Sequence, residues 1–380
     1  MKSSVKIILT VLFIVLFSFS ASATTAENIT ANDIIERQKE EYGINDLDKN
    51  VPESAKKSAE DYGNLKLENA ENLLDAKKII GFVFQCFFKV LSQKGSILLK
   101  LAAMLVLIYV VSTMSTDGAN GGIMKALSYI TLVIAALILF DTVFTSANTL
   151  IDSFNDLSIF MGSLTPVLLA VTGASGAPAA AGTAGLTLTA ALEVFSVIVN
   201  SCVLPCTNMY LALGAGGGIT SNMNLKNLSV FVRNFAVGII SFILCIFTGV
   251  MSVQSFISVS GDSLSRRTMK FAAGSFIPIA GGSIGDGLDT VFTCAAVLKS
   301  SVGAFGIIVL FFTIITPLLD IVANIIILSI AKSICVFFNN NTLSSFFSIT
   351  KDAFSILFTV AAGFSIMIIL ALTIMIRIGG

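Results

Sequence analysis

Six ionisable side chains stand inside otherwise apolar stretches of this chain: Glu193, Asp141, Asp286, Asp289, Asp320 and Lys332. A charge in a hydrocarbon environment is costly, so each marks a candidate pathway or pairing position. Glu193 is the sharpest of them, near the middle of the apolar run 184–204 with no base in its own segment. It suits a polar cavity or a proton or ion relay, and equally an interhelical hydrogen bond that fixes packing. Asp320 and Lys332 are twelve residues apart, too far to pair along one helix, whereas Asp286 and Asp289 at i and i+3 would share a helix face. Other chemistry is sparse. The chain has no histidine, the commonest general base and metal ligand at neutral pH. It also lacks the Gly-rich lysine motif that cradles nucleotide phosphates. Its six cysteines (Cys86, Cys202, Cys206, Cys245, Cys294, Cys335) fall almost wholly in apolar segments and read as small buried hydrophobes. The expectation is a protein that is not an enzyme, with no catalytic, cofactor-binding or metal-binding residue and no cofactor.

The elements that must hold these groups are membrane helices. Hydrophobic residues make up 55% of the chain, charged residues only 12%, and the mean hydropathy is +0.91; a soluble domain is about a quarter charged. Half of the charged residues lie between Thr24 and Lys94, so a polar head precedes a long apolar body. Residues 1–23 read as a cleaved signal peptide: Lys2 and Lys6, an apolar run over 7–19, then Ala21-Ser22-Ala23. Cleavage places the polar region 24–78 outside the cytoplasm, where its scattered apolar positions cannot bury a core alone. Residues 79–95 fit an interfacial amphipathic helix, too short and too flanked by lysine to cross.

From 96 to 380 the chain reads as a polytopic helical membrane domain. Spans are expected at 97–114, 127–144, 159–171, 184–204, 235–253, 303–316, 318–337 and 354–376, with a weaker candidate at 276–298. The run after Pro205 reads as dipping in and returning. The fold class is therefore all-α, with about 7 to 9 transmembrane or re-entrant helices.

Two frames inside that body match. Gly162-Ser163-x-x-Pro166 is followed 39 residues later by Pro205, and Gly274-Ser275-x-x-Pro278 is followed 39 residues later by Pro317. The stretch before the first frame carries Asp152 and Asp156; the one before the second carries Arg266, Arg267 and Lys270. With the basic linker in the cytoplasm, the units 127–225 and 235–337 form an inverted repeat, and helices broken at the four prolines point to a site near the bilayer midplane. Close packing through small residues explains the Gly- and Ala-rich strings as well.

The second frame carries a resemblance. Ser265-Arg266-Arg267-Thr268-Met269-Lys270-Phe271, then Gly274-Ser275-Phe276-Ile277-Pro278-Ile279-Ala280-Gly281-Gly282, Asp286-Gly287-Leu288-Asp289-Thr290-Val291 and Leu298-Lys299-Ser300-Ser301-Val302-Gly303 closely resemble the stage III sporulation protein AE family. The chain departs from the family at Gly282-Ser283, where a bulkier or basic residue is frequent. The resemblance covers essentially the whole mature chain. It implies a multi-pass protein of the mother-cell membrane around the forespore, in a transenvelope channel or secretion-like complex needed for late forespore development. It implies as partners the lipid bilayer, other proteins of the same operon, including a secretion-type ATPase and ring-forming proteins, and a forespore membrane partner; no nucleic acid is expected. Two rival readings stay open: an independent secondary transporter with Glu193 as coupling acid, and a structural platform whose membrane body only anchors the complex.

Overall fold

The computed structural model describes residues 29–60, 62–63, 65–69, 75–114, 121–220, 223–276, 281–338 and 340–377. The expected signal peptide lies outside them. Regular structure among the described residues is helical: α1 Ile29–Glu41, α2 Glu53–Ala59, α3 Ala76–Met114, α4 Gly121–Ala174, α5 Pro178–Ile198, α6 Leu204–Thr220, α7 Met223–Phe276, α8 Gly281–Phe337 and α9 Asn341–Arg377. Short 3-10 turns occupy Ile44–Asn50 and Leu67–Asn69, and a π-turn, Val199–Val203, joins α5 to α6.

Five described stretches are long and apolar enough to cross a bilayer: Tyr129–Ala174, Ala181–Gly217, Asn227–Gln254, Thr290–Phe337 and Asn341–Arg377. The expected spans are therefore corrected by fusion. Segments 127–144 and 159–171 are parts of α4, 303–316 and 318–337 run together in α8, and 79–95 with 97–114 make up α3. The reason is that Asp152 and Asp156 change the polarity of the helix surface without giving the backbone anything to stop at; a helix ends where its carbonyls are capped. At 54 and 57 residues, α4 and α8 each reach roughly 80 Å, against the ~30 Å of a hydrocarbon core.

Proline does not break these helices either. Pro166 and Pro317 lie inside α4 and α8, contrary to the expected broken helices. An interior proline loses one backbone hydrogen bond, and neighbouring helices restore enough packing to hold the rod. Pro205 is the second residue of α6, directly behind the π-turn, whose wide winding makes room for a residue without an N–H. Pro278 lies outside the described residues. Of the matched frames, Gly162-Ser163 falls inside α4 and Gly274-Ser275 in the last turn of α7.

The turn from α4 to α5 has a clear local cause. Ala177 N–H donates to the Thr172 carbonyl at 3.3 Å and Gly176 N–H to that of Gly173 at 3.0 Å, closing α4 in a Schellman motif. Gly176 takes the required left-handed conformation, φ 91°, and Pro178 opens α5 where a missing N–H costs nothing.

α8 is the axis of the bundle: its apolar stretch is 83% buried, against 22% for that of α7 at the rim. Contacts fix the register. Phe160 meets Phe305 and Ser146 meets Asp320, so α4 runs antiparallel to α8; Phe82, Lys94 and Tyr109 meet Phe312, Asp320 and Phe338, so α3 runs parallel to it. Phenylalanines fill much of the interior. Phe154 stacks on Phe364 at 4.1 Å, and Phe195 lies 5.4 Å from the same ring. Glycine allows the closest approach, since a Cβ at Gly306 would stand 2.5 Å from Leu164 Cδ2.

The polar head finds its core by borrowing one. Ile44, Leu47, Val51, Ala55 and Ala59 are buried, and the Tyr62 ring closes on Phe82 and Phe312, each at 5.3 Å between centroids. Ser54 Oγ donates to Asp156 Oδ2 at 2.5 Å, and the Ser58 and Thr316 hydroxyls meet at 2.8 Å. The head is thereby clamped to the middle of α4 and α8.

Candidate functional site

One turn beyond Pro317, Asp320 collects a polar layer inside the bundle. Its Oδ1 pairs with Lys94 Nζ of α3 at 2.6 Å, with the two side chains 19% and 25% exposed. Its Oδ2 accepts from Ser146 Oγ of α4 at 2.7 Å and from Asn324 Nδ2, one helical turn on, at 3.2 Å. Asn324 also donates to Ser146 Oγ at 3.3 Å. Every oxygen of the carboxylate is used, and the charge is compensated by one ammonium. Such a layer locks three helices in register, and the ammonium of Lys94 already supplies the counter-charge that a bound cation would.

The other expected positions scatter. Lys332 Nζ donates to Ser348 Oγ at 3.1 Å across the α8–α9 hairpin, remote from Asp320 as the spacing requires. Glu193 is exposed on the outer face of α5 beside Val194 and Val197, and accepts no hydrogen bond from the described residues. It therefore lies on the surface of a single chain, away from the core. Asp141 is exposed on α4 and lines a cavity of about 450 Å³ with Phe140, Phe144, Asn208 and Leu211. Asp286 and Asp289 fall in the first turns of α8, and Arg266, Arg267 and Lys270 in the last turns of α7; their side chains lie outside the described residues.

Sequence reading missed several members. Lys94 was expected only to flank an interfacial helix, and Ser146 and Asn324 carried no charge to draw notice; the i, i+4 spacing of Asp320 and Asn324 was the available signal. A second polar pair, Tyr210 donating to Asp352 Oδ2 at 3.3 Å, ties α6 to α9. Of the cysteines, Cys294 and Cys335 are buried, three are half-buried, and Cys245 is exposed on the rim, which corrects the expectation that all six are buried. Among the described residues no group of three or more His, Cys, Asp or Glu is placed to hold a metal ion.

The level of the docked head bears on the prolines. Its outer surface carries Glu36, Glu40, Glu41, Asp46 and Lys49, all exposed, and such a surface needs water beside it. Thr316, which the head touches, is followed directly by Pro317, so the docked head reaches the level of that proline.

Comparison with known proteins adds the relatives. The family model described as Stage III sporulation protein AE matches residues 58–379. The Stage III sporulation protein AE of Bacillus subtilis (strain 168) is 22% identical over 329 residues, covering 87% of this chain and 81% of that protein. No solved structure matches.

Proposed function

Because the chain belongs to the stage III sporulation protein AE family, a multi-pass, sporulation-related membrane component, we propose that it is built into an assembly joining the mother cell to the forespore and sustains late forespore development there. In this reading its partners are other sporulation proteins: an ATPase of secretion type, ring-forming proteins, and a partner in the forespore membrane. The head faces the space between the two membranes, where ring proteins would meet it.

The observation that carries the finer reading is where polarity lies. The interior is closed by phenylalanines, while Glu193, Asp152, Asn148 and Asn155 are exposed on α4 and α5. Any solute path would therefore run between chains and not down the axis of one. An independent secondary transporter needs its coupling acid in a central cavity, and the exposure of Glu193 argues against it. The platform reading is favoured by the clamped head and the packed aromatic core.

The test is deletion of the gene in its spore-forming host, with heat-resistant spores, vegetative growth and forespore-specific reporter activity scored together. A block after engulfment with normal growth is expected, and normal spore counts overturn the proposal. Complementation with Glu193→Gln then separates a path, in which spore counts fall at normal protein level, from a platform, in which they hold.

A further inference from the structure

Asp141 and Lys100 are solitary opposite charges on exposed apolar surfaces. Asp141 stands on α4 between Leu137 and Phe144, and Lys100 on α3 beside Leu99, all of them exposed. Among the described residues neither enters an ion pair or hydrogen bond. An isolated charge on such a surface is expensive unless a partner covers it.

The two charges lie at one depth. Lys94 and Ser146 both bind Asp320, which sets α3 and α4 in register, and the helices run antiparallel. Lys100 lies six residues beyond Lys94 and Asp141 five residues before Ser146, so both are displaced in the same direction, by about 9 Å and about 8 Å. Copies of one chain in one membrane share their orientation, and any closed assembly of them turns about an axis along the membrane normal. Groups at equal depth are then the ones that meet.

Asp141 is also set in a receptor. The cavity of about 450 Å³ has apolar walls from Phe140, Phe144 and Leu211, with polar groups from Asp141 and Asn208. That combination suits a long aliphatic stem ending in a cation, with room left for water. We propose that this cavity is the docking site for a second copy of the chain, which inserts Lys100 between the phenylalanines and pairs it with Asp141. The surface goes beyond the sporulation reading and does not depend on it.

The test uses the full chain in lipid nanodiscs, its mass read by native mass spectrometry over a dilution series. The wild-type chain is expected to self-associate, and Lys100→Asp or Asp141→Lys alone should weaken association by about tenfold or more. A mixture of the two single variants should associate again, because each supplies the charge the other needs; a pair closed within one chain could not be rescued by mixing. Asp141→Asn, with helix content followed by circular dichroism, gives an intermediate loss without charge reversal. A monomeric wild type, single reversals that still associate, or a mixture that stays dissociated overturns the proposal, the last also when a base on another protein is the true occupant. Spore counts on the same variants report on the sporulation reading separately.

Discussion

Asp320 illustrates how one half-buried carboxylate is made tolerable: an ammonium, a hydroxyl and an amide each take a share of it. Removing Lys94 strands that charge. Full burial would cost about 3–5 kcal/mol, and the quarter of the Asp320 side chain left exposed reduces the expectation for Lys94→Met to roughly 1–3 kcal/mol. The double variant Lys94→Met with Asp320→Leu should recover much of the loss, because the stranded charge goes with its partner; unfolding in detergent followed by circular dichroism reads both. Tyr62 gives a pH-dependent counterpart outside the membrane-capable stretches. Burial first, and the charge of Asp75 second, push its phenol above the ordinary 10.0. The docked head therefore holds the phenolic proton more tightly than the free head, so docking is unaffected below pH 10 and weakens as pH rises through the docked-state value. Tyr62→Phe should remove that alkaline limb, and tyrosinate absorbance together with protease sensitivity of the head would show it. The acids were legible in the sequence because charge is conspicuous in an apolar run. Among the partners of Asp320, Asn324 was signalled by its i, i+4 spacing, whereas Lys94 and Ser146 become meaningful only when α3 and α4 are placed beside α8.

Elements show the same division between chemistry written locally and chemistry written in contacts. The α4–α5 hairpin could be read from the chain itself: Ser175-Gly176-Ala177-Pro178 holds the glycine of a left-handed cap and the proline of a first turn. Gly176→Ala should cost about 1 kcal/mol through its φ of 91°. At Gly306 the constraint is space, not backbone conformation. Gly306→Ala forces Leu164 Cδ2 to move from 2.5 Å, which a flexible side chain tip can do, whereas Gly306→Leu has nowhere to go and should separate α4 from α8, at a cost of about 1–3 kcal/mol or more. Thermal melting of the reconstituted chain ranks the two. Prolines and aspartates misled the span boundaries for a physical reason. Both are usual signs of a helix end in water, yet Pro317 is held inside α8 by neighbours packed on every side, and Asp156 is satisfied by Ser54 without leaving the helix.

For the molecule as a whole, the docked head decides how the parts act together. A region too polar to fold by itself becomes ordered by lending Tyr62 to Phe82 and Phe312 and two serine hydroxyls to α4 and α8, so its position reports on the state of the bundle. Phe312 is 1% exposed, and Phe312→Ala should remove about 3–5 kcal/mol of packing. Much of that loss would fall on the head, since the rest of α8 is still held by α4 and α9. The expected outcome is a chain whose head is cleaved rapidly by protease while the membrane helices keep their protection. Equal protection of head and body in wild type and variant would show that the head holds on by other contacts. If the head is what meets the proteins between the two membranes, spore counts should fall with Phe312→Ala as they do on deletion, at undiminished protein level. Normal counts with a released head would mean that docking serves the stability of this chain and that assembly is governed from the helical body.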